Sequence, residues 1–299
     1  GDFDNDGDVD YIAGNLGLNS FYKASEQYPV RMYAKDFDNN GSYDAVPSLY
    51  LPASMEDKTR KEFVAHTRDD MIKQLIGFRK KYPQYKSYAN ATVDEMFSKE
   101  EMQDALVVEA NYFSHCFIEN LGNGKFACAP LPVPAQWSCL NGMVVDDVNH
   151  DGNADIVING NDYSTEVGVG RYDGCNGLLL MGKGDGTFQP VSITESGIFI
   201  PGNGKALVKL RSAGGNYLLA AGQHRGPLKI FALKETVHCI PLNPLDETAV
   251  ITYKNGKTQL RDLPYGASFL SQSGRFMVVD EEMVQITITN SKGEKRIVK

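Results

Sequence analysis

A nine-residue acidic pattern occurs three times in this chain and constrains its fold more than any other feature. The copies are DFDNDGDVD at residues 2–10, DFDNNGSYD at 36–44 and DVNHDGNAD at 147–155. Each has Asp or Asn at positions 1, 3 and 5, Gly at position 6 and Asp at position 9. Carboxylates this close together repel one another unless a cation neutralises them, so the pattern predicts three cation-binding loops.

The chemistry of these side chains predicts calcium. A ligand set made only of oxygen atoms selects hard cations, and calcium tolerates the irregular geometry of such a loop. We expect the side chains at positions 1, 3, 5 and 9 to converge on the ion, while position 7 offers its backbone carbonyl. In the second loop Asn40 and Ser42 lower the charge, so we expect weaker binding there.

Two other kinds of loop could carry a similar acidic pattern. An EF-hand loop needs Glu at position 12, but position 12 is Ala13, Pro47 and Ile158 in the three copies, so the EF-hand is excluded. Hairpin loops closed by Asp and Asn side chains without any ion stay open as the second alternative.

The segments around the loops have the composition of β-strands. Residues 30–34 lead into the second loop and residues 156–158 follow the third, while Gly-rich turns at 120–126 and 181–188 each end in Phe. One unit therefore contains four antiparallel strands. This order predicts an all-β fold, a β-propeller built from four-stranded antiparallel blades, with four to five recognisable units of which the first is truncated. We expect residues 1–299 to form a single propeller-like domain.

A helical segment interrupts this pattern, and we predict an insertion within a blade over residues 52–104. Apolar residues between 71 and 76 have helical spacing, and Thr92 with Glu95 and Ser98 with Glu101 form capping-box signatures. We expect residues 105–108 to be the third strand of the interrupted blade. The segment 57–86 is locally basic, which is typical of a solvated helix face, with contact to an anionic glycan or protein as the alternative.

The DxDxDGxxD loops and the Gly-rich turns ending in Phe resemble the FG-GAP or VCBS repeats of integrin-α-like propellers. The segment 265–273, YGASFLSQS, resembles the ASPIC/UnbV module, which implies a C-terminal segment of that type over 236–299. The resemblance implies a calcium-bearing propeller located outside the cytoplasm, either secreted, on a cell surface or in the periplasm, and of bacterial origin. The metal ligands that it implies are Asp2, Asp4, Asp6, Asp8, Asp10, Asp36, Asp38, Asn40, Ser42, Asp44, Asp147, Asn149, Asp151, Asn153 and Asp155.

The resemblance implies no reaction, and the sequence supports a binding or adhesion module for a protein or a glycan. Connections between second and third strands lie opposite the acidic loops, and loops on a rigid scaffold commonly bind ligands. The residues expected to contact a ligand there are Tyr163, Glu166, Arg171, Tyr172, Asp173, Gln223, His224 and Arg225. Solvated loop residues that only stabilise their own turns remain an alternative. A hydrolase or lyase acting on a glycan with the same face is the rival hypothesis.

Charge and motifs exclude other classes of function. The net charge of −8 disfavours binding to nucleic acid, and no apolar run reaches the roughly 20 residues that span a bilayer. Signatures of common hydrolases, metalloproteases and P-loop proteins are absent from the sequence, and we predict no catalytic residue. The chain opens directly on an acidic loop, so we expect it to be part of a larger protein.

Overall fold

The computed structural model describes residues 1–234, 236–266 and 268–299, and the fold is mostly β. The described chain divides into two compact units. Unit 1 consists of Gly1–Asn19 and Ser114–Lys299, and unit 2 consists of Ser20–Phe113. In sequence, unit 2 is therefore inserted into unit 1.

Short strands and helices follow one another along the chain. The strands are β1 (Tyr11–Ala13), β2 (Val30–Lys35), β3 (Asp44–Pro52), β4 (Arg60–Val64), β5 (Leu106–Ala110), β6 (Cys116–Asn120), β7 (Phe126–Pro130), β8 (Leu140–Asp146), β9 (Asp155–Gly160), β10 (Leu178–Gly182), β11 (Phe188–Val191), β12 (Gly204–Arg211), β13 (Tyr217–Gln223), β14 (Lys229–Ala232), β15 (His238–Pro241), β16 (Asp246–Tyr253), β17 (Thr258–Asp262), β18 (Phe276–Val279), β19 (Met283–Asn290) and β20 (Lys295–Ile297). The helices are α1 (Arg68–Gln74), α2 (Phe78–Lys81), α3 (Tyr85–Ala89), α4 (Val93–Met96), α5 (Lys99–Met102) and α6 (Ile193–Ser196).

The third acidic loop belongs to a regular four-stranded sheet in unit 1. Strands β8, β9, β10 and β11 are consecutive in sequence and are neighbours in the same order, all antiparallel. The acidic loop joins β8 to β9, and the Gly-rich turn joins β10 to β11. Every residue of β9 is buried, so its apolar run reflects packing on both faces. The predicted four-stranded unit is confirmed for this sheet.

The first acidic loop leads into a smaller sheet with the order β1-β6-β7. Strand β1 corresponds to β9, because each follows an acidic loop, and β6 and β7 are joined by the Gly-rich turn before Phe126. In sequence this turn follows the second acidic loop. It belongs instead to the sheet of the first loop, because the chain leaves this sheet after β1, forms unit 2, and returns at β6.

Neighbouring sheets of unit 1 pack through their faces. Phe3 and Phe117 lie with Leu180 and Phe188 in one buried cluster, which joins the β1-β6-β7 sheet to the sheet of β8–β11. A second cluster, which includes Leu207, joins that sheet to the three-stranded sheet β12-β13-β14. Closure of these sheets into a propeller is not observed among the described residues.

The C-terminal part of unit 1 forms two further sheets. Strand β15 pairs with β18, and the other four strands form a sheet with the order β17-β16-β19-β20. The strand predicted at residues 284–289 is confirmed within β19, and the predicted turn at residues 291–294 precedes β20. Within the segment compared with the ASPIC/UnbV module, Ala267 lies outside the described residues, and the comparison itself stays a prediction.

Unit 2 packs five short helices against one sheet with the order β4-β3-β2-β5. Its core joins Tyr33 and Val46 of the sheet to Met71, Met96 and other helical side chains. Both predicted capping boxes are present, at the first residues of α4 and α5. No helix in the described part of the chain is both long enough and apolar enough to cross a membrane.

The predicted insertion over residues 52–104 differs from the structure in two respects. The helices occupy only residues 68–102, because Arg60–Val64 form strand β4 and extend the sheet beside β3. Residues 106–110 form β5, which pairs with β2 and not with the strand after the acidic loop. The apolar run predicted a strand correctly, but its partner depends on pairing across more than 70 residues of sequence.

Candidate metal centres

The three acidic loops share one backbone geometry. Position 4 and position 6 have a positive φ in every copy, and Gly at position 6 takes this conformation without the strain that a Cβ would cause. The angles are 65° and 96° at Asn5 and Gly7, 56° and 87° at Asn39 and Gly41, and 62° and 80° at His150 and Gly152. The repeated pattern therefore encodes a repeated turn. Strands and not helices flank these turns, consistent with excluding the EF-hand.

The aspartate at position 9 holds each loop closed. Its carboxylate accepts a hydrogen bond from the backbone N–H of position 2, where the donor–acceptor distances are 3.1, 3.0 and 2.9 Å for Asp10, Asp44 and Asp155. In unit 1 the other oxygen of this carboxylate accepts the N–H of Asn120 or Gly182, at 2.9 Å in each case. Asn120 is the last residue of β6 and Gly182 is the last residue of β10, so the aspartate at position 9 connects its loop to a neighbouring strand of the sheet.

Two of the loops bring three carboxylates together. Asp2, Asp4 and Asp10 form one group, in which the ligand oxygens lie within 4.8 Å of one another. Asp36, Asp38 and Asp44 form the same group in the second loop, within the same limit. These residues occupy positions 1, 3 and 9 in both loops. Each group could hold a metal ion with carboxylate ligands from three predicted positions.

Burial and repulsion between carboxylates dominate the electrostatics of these groups. Burial raises the pKa of Asp4 to about 6, and the nearby carboxylates of Asp10, Asp6 and Asp2 raise it as well. Burial also raises the pKa of Asp2 and of Asp44. A bound divalent cation would reverse this effect, because it favours the charged form of every ligand.

The first loop fits a hard cation by a second criterion. Asp2 is only 1% exposed, and its Oδ2 accepts the N–H of Leu260 at 3.0 Å. Its Oδ1 is buried, yet no described residue donates a hydrogen bond of ordinary geometry to it. A buried carboxylate oxygen without a donor is costly, and a metal ion at the triad would satisfy it.

The third loop has the same turn but a different electrostatic environment. The guanidinium of Arg261 lies 3.5 Å from Asp147 Oδ2, and Lys257 Nζ donates to Gly152 O at 2.8 Å and to Asn153 Oδ1 at 2.5 Å. Burial nevertheless raises the pKa of Asp155 to about 7. Protein cations therefore supply at this loop part of the positive charge that the other two would take from an ion.

The remaining predicted ligands mainly organise the turns. Position 5 accepts the N–H of position 7 in each copy, at distances of 3.0, 2.8 and 2.8 Å. These bonds are the Asp and Asn turns that the alternative without an ion predicted, and they leave lone pairs on the same oxygens for a metal. Asp8 Oδ1 is also buried, and no described residue donates a hydrogen bond of ordinary geometry to it. The residues in these roles are Asp6, Asp8, Asn40, Ser42, Asn149, Asp151 and Asn153.

The predicted ligand-contact residues lie at the opposite end of the β8–β11 sheet from its acidic loop. Asp162 and Tyr172 form an antiparallel bridge, which places the guanidinium of Arg171 4.9 Å from the ring centre of Tyr163. Tyr172 is buried and supports the loop, whereas the side chains of Glu166, Arg171 and Asp173 are exposed.

The short loop after β13 reaches the same connecting segment. His224 N–H donates to Asn203 O at 2.9 Å, while the side chain of Asn161, next to the longer loop, donates to Gly202 O at 2.7 Å. The side chain of Gln223 donates a hydrogen bond to Pro227 O, whereas His224 and Arg225 are exposed. Both predicted loops therefore meet residues 202–203. In the described chain no ion pair joins His224 to Glu166 or Asp173.

Sequence reasoning missed the contribution of the C-terminal hairpin to the loops. Leu260 reaches Asp2, and Lys257 and Arg261 reach the third loop, across more than 100 residues of sequence. The only signal was a basic pair on a strand-like segment, which carries no information about its partner. A search of protein-family models found no match to the chain, and comparison with curated proteins likewise found none.

Proposed function

We propose that this chain is a calcium-stabilised binding module built from propeller blades of the FG-GAP or VCBS type. The observation that carries the proposal is the convergence of three carboxylates at positions 1, 3 and 9 in two loops of one shared geometry. Carboxylate oxygens on an irregular turn are typical ligands of calcium. The regular four-stranded sheet that contains the third loop supports the comparison with a blade.

In this proposal the ion is structural. It neutralises carboxylates such as Asp2, which is buried, and Asp4, and it fixes the turn that joins two strands. The proposed location is outside the cytoplasm, because calcium sites of extracellular modules bind at roughly 10⁻⁴ to 10⁻³ M and would be empty at resting cytosolic calcium.

The proposed ligand is a protein or a glycan, bound by the loops at the opposite end of the sheets. Arg171 with Tyr163 offers an exposed cation beside an aromatic ring, and His224 and Arg225 lie on the neighbouring loop. The rival hydrolase or lyase gains no support from the contacts of His224. We therefore propose binding without catalysis.

Thermal unfolding in calcium, in magnesium and in excess chelator tests the metal part of this proposal. A ligand that binds only the folded state raises the apparent stability by about 2.7 kcal/mol at one hundred times its Kd. We expect a clear rise with millimolar calcium and a smaller rise with magnesium. Equal melting temperatures in all three conditions, with no retained calcium by elemental analysis, would refute the calcium assignment.

Binding to arrays of glycans and extracellular proteins tests the second part. We expect Arg171→Ala and His224→Ala to weaken binding of any hit, with calcium-dependent melting unchanged. An exposed residue outside both loops, Glu281, gives the control variant Glu281→Gln. A hit that responds equally to all three substitutions would contradict the proposed face.

A further inference from the structure

The hairpin of β16 and β17 covers the third acidic loop, whereas the second loop is open to solvent. Gly152 is buried, and a Cβ at this position would lie 3.3 Å from the Cζ of Tyr253, the last residue of β16. The equivalent glycine of the second loop, Gly41, is exposed, and a Cβ there would meet open space. The two loops share one backbone turn, so the cover over the third loop comes from the C-terminal hairpin and not from the acidic pattern.

The same hairpin brings two cations to the third loop. The ammonium of Lys257 donates to Gly152 O at 2.8 Å and to Asn153 Oδ1 at 2.5 Å. Asn153 is one of the metal ligands that the sequence predicts. The guanidinium of Arg261 lies 3.5 Å from Asp147 Oδ2, and its side chain is only 14% exposed. Solvent therefore screens this ion pair less than it would screen a pair on the surface.

The carboxylates of the second loop have no such partners. In the described chain no Lys or Arg forms an ion pair with Asp36, Asp38 or Asp44. The aspartate at position 1 otherwise makes the same contact in both loops. Its Oδ2 accepts the N–H of the glycine at position 6, at 2.8 Å in the second loop and at 3.0 Å in the third. The two loops therefore form a matched pair, one without protein cations and one with them.

We propose that Lys257 and Arg261 are the resident cations of the third loop, which folds without calcium, so that calcium dependence is confined to the first two loops. The inference departs from the ligand set that the sequence predicts for the third loop, and it rests on the proposed function only for the first two. An ammonium group bound to oxygen atoms of the loop supplies positive charge that no chelator can remove, because it belongs to the chain. A calcium ion at the same loop would meet two positive charges at close range, and their repulsion would weaken its binding.

Hydrogen exchange of the Gly152 amide, measured by NMR in excess chelator, tests the proposal in the absence of calcium. We expect this amide to exchange about tenfold faster in Lys257→Met than in the native chain, because the loop loses one of its cations. The matched control is Lys254→Met, since Lys254 follows β16 directly and pairs with Glu282 at 3.1 Å, outside the loop. The amide of Ile251, in the interior strand β16, shows whether a variant loosens the whole sheet. Unchanged exchange at Gly152 in Lys257→Met, or equal acceleration at Gly152 and Ile251, would overturn the proposal.

Calcium titration of the native chain, followed by NMR at Gly41 and Gly152, separates this proposal from the proposed function. Each glycine N–H donates to the carboxylate at position 1, so its chemical shift reports an ion bound at that loop. We expect millimolar calcium to shift the Gly41 amide and to leave the Gly152 amide unchanged. A shift of Gly152 at the calcium concentration that shifts Gly41 would overturn the proposal. No shift at either glycine would contradict the calcium assignment of the second loop, and the exchange measured in chelator would then decide the role of Lys257.

Discussion

Replacing Asp4 with Asn should stabilise unit 1 in chelator and should reduce the further stabilisation that calcium gives it. Asp4 belongs to the carboxylate triad of the first loop, and burial raises its pKa to about 6 from a model-compound value of 3.8. The amide of Asn removes the charge but keeps an oxygen that can accept the N–H of Asp6, which Asp4 accepts at 3.2 Å. The turn should therefore persist while the repulsion falls.

The magnitude follows from the pKa. A shift of about 2 pKa units corresponds to about 3 kcal/mol at neutral pH, and solvent around the partly exposed carboxylate reduces this to about 1 kcal/mol. We therefore expect Asp4→Asn to raise the melting temperature in chelator by about 3 °C. With a Kd near 10⁻⁴ M, 10 mM calcium should stabilise the native chain by about 2.7 kcal/mol. A tenfold weaker Kd in the variant would remove about 1.4 kcal/mol of that stabilisation.

Differential scanning calorimetry in 10 mM calcium and in excess chelator measures both effects. The matched control is Glu281→Gln, which removes one exposed charge of unit 1 outside the loops. The reasoning fails if Asp4→Asn lowers the melting temperature in chelator, or if the rise caused by calcium is as large in the variant as in the parent chain.

Three further predictions follow from the same structure. In chelator, the free energy of unfolding should fall as pH rises from 5 to 8. The raised pKa values of Asp4 and Asp155 give stability that is present below pH 3.8 and is lost as pH passes about 6 to 7. Calcium should flatten this dependence in unfolding curves measured at several pH values. Lys257→Met should lower the melting temperature in chelator by a few degrees in scanning calorimetry, because Lys257 Nζ donates to Gly152 O and to Asn153 Oδ1 of the third loop. Leu180→Ala should cost about 2 to 5 kcal/mol in urea unfolding, since this side chain is fully buried between two sheets; a cost below 1 kcal/mol would contradict that packing.

The acidic loops were predictable because their geometry is local. Asp and Asn at alternate positions bond to backbone N–H groups two residues away, and Gly at position 6 takes a positive φ, so nine residues specify the turn. The sequence predicts that positions 1, 3, 5 and 9 converge, and the carboxylates at positions 1, 3 and 9 lie close together in the first two loops. A continuous apolar run located β9 and apolar alternation located β19, because burial on both faces or on one face selects those residues.

Strand pairing between segments far apart in the chain was harder to predict from the sequence. Residues 106–110 have the pattern of a strand, but nothing in that pattern distinguishes a place beside β2 from one beside β3. The Gly-rich turn before Phe126 follows the second acidic loop in sequence, whereas β6 pairs with β1, which lies before the whole of unit 2. The effect of such an insertion on strand pairing cannot be predicted from local composition, because the insertion changes only which strand edges pair with each other.

The sequence by itself determined the three turns, the antiparallel character of the strands and the oxygen chemistry of the loops, because each depends on residues within a few positions of one another. Only the tertiary structure decided which sheet each strand joins. It also decided that the N–H of Leu260 donates to Asp2 and that Lys257 and Arg261 contact the third loop. Those contacts depend on packing between segments far apart in the chain, where burial of apolar faces, and not local preference, selects the partner.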